Sequence, residues 1–183
     1  MTTLLEKYRK EVAPELKTKM GVKSLMAVPR ITKISLNMGA GKWLSGSKDT
    51  AELEANFALI TGQKVIVTKA KKAISNFKTR EGMPIGLAVT LRGTRAFQFL
   101  EKFINVTAPR IRDFSGFPTN SFDGQGNYSF GLRDIQVFPE INPENVSKNT
   151  GLQITICTSA KNKDDARLLL TALGFPFRKS NKK

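Results

Sequence analysis

Two stretches of this chain alternate apolar and polar residues so strictly that each can only make a strand with one apolar face. In residues 30–38, Ile34, Leu36 and Met38 fall on one side, while Lys33, Ser35 and Asn37 fall on the other. In residues 86–92, Leu87, Val89 and Leu91 oppose Ala88, Thr90 and Arg92. Strands buried on both faces would be apolar throughout, so a sheet built from these segments has one face free for water or a partner. Between them, Leu53, Phe57 and Ile60 recur at helical spacing after a capping Ser47 or Asp49, and Gly62 ends that helix.

The remaining elements follow by the same reading. A helix spans about residues 3–20 and is expected to break near Pro14, which lacks a backbone donor and disfavours helix at Ala13. Residues 64–69 form a second strand. Thr94 caps a helix with Phe97, Leu100, Phe103 and Ile104 on its apolar stripe, closed at Pro109. Residues 110–126 are too irregular for a long element. Further strands are expected over 127–132, 135–138 and 152–158, and a last helix begins at the acid-loaded Asn162, Asp164 and Asp165 and stops at Gly174. The class is therefore α+β: a single domain over residues 1–183, with helices on one face of a mainly antiparallel sheet in a split βαβ-like order. A chain of 183 residues buries roughly 70% of its unfolded surface and needs no staple.

Composition excludes much chemistry. The absence of His removes Ser-His-Asp and Cys-His nucleophiles, His metal ligands and His pH switches. The lone Cys157 provides neither a disulfide nor a thiolate zinc cage, and within its strand it reads as a small apolar filler. Gly39, Gly41 and Lys42 begin like a phosphate cradle, but Leu36 and Trp43 stand where a P-loop needs Gly and a hydroxyl. Leu44 and Ser129 likewise replace the third Gly of a dinucleotide fingerprint. Asp164 and Asp165 are explained by the helix dipole, and Glu52 and Glu54 point to different faces. No cofactor, metal or small-molecule substrate is expected, and the chain does not read as an enzyme.

Charge is the positive signal. With 30 Lys+Arg against 15 Asp+Glu, the formal charge is +15, which favours a polyanion as partner. The load concentrates at Lys64, Lys69, Lys71, Lys72, Lys78 and Arg80, mostly within a loop over residues 70–85. A short basic tail occupies 178–183. No segment has the apolar length of a signal peptide or membrane span, so a cytoplasmic protein is expected. A second reading is a membrane or polyanion adaptor, since Leu5, Tyr8, Val12 and Leu16 line up among Lys7, Arg9, Lys10 and Lys17. Asn37, Thr90 and Arg92 bring hydrogen-bonding groups but no stacking ring to the polar strand faces, which favours recognition of folded RNA by shape and phosphate. Phe114, Phe117, Phe122 and Tyr128 stand near Arg110, Arg112 and Arg133, where loop aromatics either stack on bases or pack onto their own domain.

At these residues the chain resembles a known family. VPRITKISLNMG at 28–39, TGQ at 61–63, TKAKK at 68–72, FKTREGMPIG at 77–86 and VTLRG at 89–93 resemble the bacterial-type large-subunit ribosomal protein five family. So do PRIRDF at 109–114, SFDGQGNY at 121–128, FPEI at 138–141 and LGFPF at 173–177, in order over nearly the whole chain. Lys42-Trp43 and residues 134–137 depart from the family pattern.

The resemblance implies a structural constituent of the large ribosomal subunit, acting in translation. It implies binding to 5S ribosomal RNA through Lys33, Asn37, Gln63, Thr90 and Arg92, and attachment of that RNA to the central protuberance. It further implies that the basic loop, with Lys71, Lys72, Lys78 and Arg80, reaches toward transfer RNA in the P site. The region of Arg110, Arg112, Asp113, Phe122 and Tyr128 would form a bridge to protein thirteen of the small-subunit head. Large-subunit RNA and neighbouring ribosomal proteins complete the expected partners. The expected location is the cytoplasm, in a ribosome of bacterial type, with an organellar ribosome of that type as the alternative.

Overall fold

Five strands join into one sheet in the order β2-β3-β1-β5-β4. The computed structural model describes residues 3–39, 47–141 and 150–178, with residues 47–50 traced by backbone alone. The strands are β1 (Ile31–Gly39), β2 (Ile66–Lys69), β3 (Pro84–Arg92), β4 (Tyr128–Leu132) and β5 (Leu152–Thr158). The helices are α1 (Leu4–Lys7), α2 (Ala13–Met20), α3 (Ser47–Thr61), α4 (Gly93–Lys102) and α5 (Lys163–Ala172). The class is α+β with an antiparallel sheet, and β2 pairs antiparallel with β3 in the register Ile66↔Ala88 and Val67↔Leu87.

The contacts gather into two compact units. The first comprises residues 1–34, 91–130 and 155–183, and the second residues 35–90 and 131–154. In the first, Thr3 caps α1 by accepting from the Glu6 backbone N–H at 3.4 Å, and the Leu4 N–H donates to Glu101 Oε2 at 3.2 Å. Phe103, Phe117, Tyr128, Phe130 and Phe175 form its aromatic core, with ring centroids as close as 4.5 Å between Phe117 and Phe130. A parallel bridge ties Phe117 to Phe177, through the Phe117 N–H to Pro176 O and the Arg178 N–H to Phe117 O, both at 2.9 Å. In the second, Leu53, Phe57 and Ile60 of α3 are buried, as are Leu36, Met38, Leu87 and Val89.

The expected break at Pro14 does not occur. The chain instead widens to a π-helical turn over Tyr8–Val12, where the Ala13 N–H reaches back to the Tyr8 carbonyl, and Pro14 then lies in the first turn of α2. The wide turn relieves the clash of the proline ring with the preceding carbonyl, so the chain stays helical through Pro14. The same arrangement recurs before Pro109: α4 passes into a π turn over Phe103–Thr107, closed by the Ala108 N–H on the Phe103 carbonyl, and then a 3-10 turn over Ala108–Arg110.

Other expectations need correction. Residues 135–138 are not a strand: Ile135–Val137 is a 3-10 turn, because the Asp134 carboxylate accepts from the Gln136 N–H at 2.9 Å and bends the chain there. Thr94 is not the cap of α4, which starts one residue earlier at a Gly93 with φ of 57°. Cys157 is half-buried on the side of β5 opposite Leu152, Ile154 and Ile156, so it fills no core. The turn at Lys42-Trp43, the capping side chains of Ser47 and Asp49, and the tail beyond Arg178 lie outside the described residues.

Candidate nucleic-acid interface

Strand alternation places the polar row where the sequence predicts it. In β1, Ile34, Leu36 and Met38 are buried, while Lys33 and Ser35 are half-buried and Asn37 is exposed. In β3, Leu87, Val89 and Leu91 are buried, while Thr90 and Arg92 are exposed. Lys33 and Arg92 belong to the first unit, and Asn37, Gln63 and Thr90 to the second.

Gln63 reaches its place through the end of α3. Gly62, at φ of 63°, turns the chain in the left-handed region, and its N–H donates to the Ala58 carbonyl at 2.8 Å. The Thr61 hydroxyl donates to the Phe57 carbonyl at 2.9 Å and accepts from the Gln63 N–H at 3.4 Å. Gln63 Nε2 then donates to the Thr90 carbonyl at 3.3 Å, which fixes the amide beside β3. The Thr-Gly-Gln sequence is thus a device that ends a helix and orients one side-chain amide.

The basic segment, expected as a loop, closes as a hairpin. Ala70 N–H to Met83 O at 2.8 Å and Gly82 N–H to Ala70 O at 3.0 Å close its base. Ile74 and Thr79 exchange N–H···O bonds of 3.1 and 3.2 Å further out. A 3-10 turn over Ser75–Phe77 makes the tip, with Lys78 in the left-handed region at φ of 52° and its N–H on the Ser75 carbonyl at 2.9 Å. Lys71, Lys72, Lys78 and Arg80 are all exposed. Composition alone did not reveal this order, because the bonds that hold the hairpin are backbone to backbone.

The residues over 110–128 split. Arg110, Arg112 and Asp113 are exposed, the last at φ of 53°. Phe122 is half-buried, its ring 4.6 Å from that of Tyr128. Tyr128 is 0% exposed, and its hydroxyl donates to the Pro118 carbonyl at 2.7 Å. Of the predicted residues here, Arg110, Arg112 and Asp113 are open to a partner and Phe122 is partly so, while Tyr128 supports the loop from beneath; burial pushes its hydroxyl pKa up to about 12. The Asp123 carboxylate ties the neighbouring turn together. It accepts from the Gln125 N–H at 2.9 Å and from the Asn127 N–H and Nδ2 at 2.7 Å. Desolvation raises its pKa, but these bonds together outweigh that and hold it below the ordinary value.

The apolar stripe of the N-terminal helix faces its own unit: Val12 and Leu16 are buried, and the Tyr8 hydroxyl donates to Pro29 O at 2.9 Å. That uses the surface a membrane adaptor would need. Among the described residues no helix is long and apolar enough to cross a membrane, and no cluster of three or more His, Cys, Asp or Glu is placed to hold a metal.

Two family models match the chain: "Ribosomal protein L5" over residues 24–80 and "ribosomal L5P family C-terminus" over residues 84–177. The chain belongs to the ribosomal protein L5 family. Its relatives in that family include proteins named "Large ribosomal subunit protein uL5". The one from Streptococcus sanguinis is 51% identical over 96% of this chain and 98% of its own length. Those from Streptococcus mutans and Desulfatibacillum aliphaticivorans are 52% and 50% identical, over 96% and 98% of this chain and 98% and 100% of theirs. Members of the L5 family are structural, non-enzymatic proteins, in keeping with a site made of hydrogen-bonding and cationic groups.

Proposed function

We propose that this chain binds 5S ribosomal RNA through the polar side of β1 and β3 and attaches it to the central protuberance of the large subunit. As an L5 family member the chain is a structural component of the large ribosomal subunit that acts in translation. The observation that carries the finer reading is the row of Asn37 and Thr90, exposed in the second unit on strands whose other side is core, with the Gln63 amide held against Thr90; Lys33 and Arg92 of the first unit alternate off the core in the same way. Such a row supplies charge-assisted and neutral hydrogen bonds to phosphates, 2′-hydroxyls and base edges, with no ring on which bases would stack.

The basic hairpin and the 110–128 region take separate roles in this reading. Lys71, Lys72, Lys78 and Arg80 reach P-site transfer RNA, and Arg110, Arg112 and Asp113 meet protein thirteen of the small-subunit head in a bridge between subunits. Large-subunit RNA and neighbouring ribosomal proteins are further partners. Their exposure supports these assignments.

The test is affinity for purified 5S RNA, transfer RNA and random duplex DNA across a salt series, with an Arg92→Ala chain beside the unaltered one. The log-log slope counts phosphate contacts, and the ratio between ligands measures specificity. A 5S preference that survives salt is expected, with Arg92→Ala weakening 5S binding by about 1–3 kcal/mol. Equal affinities that collapse together would withdraw the sheet from the site.

A further inference from the structure

The hairpin tip carries an apolar surface that its charges do not explain. Phe77 is 75% exposed and Ile74 46% exposed, within a segment where Lys71, Lys72, Lys78 and Arg80 are exposed as well. No carboxylate among the described residues pairs with these cations. Isolated exposed apolar residues are ordinary on protein surfaces. This ring is set apart by its place, at the apex of a hydrogen-bonded hairpin, followed by a left-handed Lys78 that fixes the turn.

We propose that Phe77 is a stacking platform for an unpaired base of the folded RNA that the hairpin meets, an inference that rests on the reading of the hairpin as an RNA contact. The ring has no core to pack on, and an aromatic face in water gains by covering itself with a base whatever the base's identity. The rungs at Ala70/Met83 and Ile74/Thr79 order the tip before any ligand arrives, so little conformational freedom is lost on binding. The surrounding cations suit the phosphates on either side of a stacked nucleotide. An apolar pocket on a protein would instead have to desolvate the same cations without neutralising them. The base is unpaired because a continuous duplex hides its base faces.

The experiment uses large subunits assembled with the full chain, and an unmodified transfer RNA as probe. Phe77→Leu keeps apolar bulk and removes the aromatic face, and Phe77→Trp keeps the face. A Lys71→Gln, Lys72→Gln, Lys78→Asn chain removes charge, with Asn chosen because it tolerates the left-handed conformation. The expected result is about a tenfold loss for Phe77→Leu with the salt slope unchanged, recovery with Phe77→Trp, and a shallower slope for the lysine variant. If Phe77→Leu binds as the unaltered chain does while the lysine variant weakens, the platform is overturned and the hairpin contact stands. A Leu loss that Trp does not recover also overturns it, since shape rather than a π face would then matter. If neither change alters binding, the hairpin is not an RNA contact and both readings fall.

Discussion

At the scale of single residues, Tyr128 shows how a side chain in a region proposed as a contact can serve from below. Its ring lies among Phe122, Phe130, Phe175 and Phe177, and its hydroxyl is spent on the Pro118 carbonyl. With its pKa raised to about 12 from an ordinary value near 10, the folded protein keeps a proton that the unfolded chain releases first. Between those values the unfolded state binds fewer protons, so stability is intact below about pH 10 and falls as pH rises toward 12. Tyr128→Phe is expected to cost about 0.5–1.5 kcal/mol near neutrality through the lost hydrogen bond. It should also flatten the alkaline limb. Urea midpoints for both chains at neutral and alkaline pH check this: an alkaline limb of unchanged steepness would place its cause in other groups.

At the scale of elements, one tight constraint is the approach of β3 to its neighbours at Gly86. A Cβ there would stand 2.8 Å from the Met38 carbonyl oxygen and 3.0 Å from Thr68 Oγ1. Gly86→Ala must move backbone, and about 1–3 kcal/mol of destabilisation is expected. A urea midpoint equal to that of the unaltered chain would mean that the strands part freely. Alternation was legible in the sequence because a strand's period is fixed, so Ile34, Leu36, Met38, Leu87, Val89 and Leu91 announced both the core and, by difference, Asn37, Thr90 and Arg92. Two kinds of feature were not. The π turns before Pro14 and Pro109 depend on which carbonyl an alanine N–H selects, and side-chain pattern carries no record of that. The basic hairpin is held by main-chain bonds that any residue can make, so its many polar side chains read as loop. The 3-10 turn after Asp134 falls between: apolar Ile135 and Val137 suggested a strand, while the real signal was the capping carboxylate.

For the whole molecule, the +15 charge is a property that no element shows by itself. Like charges on a compact body repel, and bringing in counterions relieves that strain without touching a contact. The melting temperature of the RNA-free protein is therefore expected to rise as salt goes from about 0.05 to 0.5 M, over which range the screening length shrinks below the spacing of most surface charges. A fall would mean that attractive pairs dominate the surface. The pairing of Phe117 with Phe177 bears on how this molecule comes into being. The aromatic core of the first unit draws on middle and late portions of the chain, and it closes only with Phe175 and Phe177 in place. During synthesis the earlier residues emerge with their partners still unmade. This unit therefore completes after translation has passed residue 177, and a half-made chain leaves these phenylalanines without their ring partners.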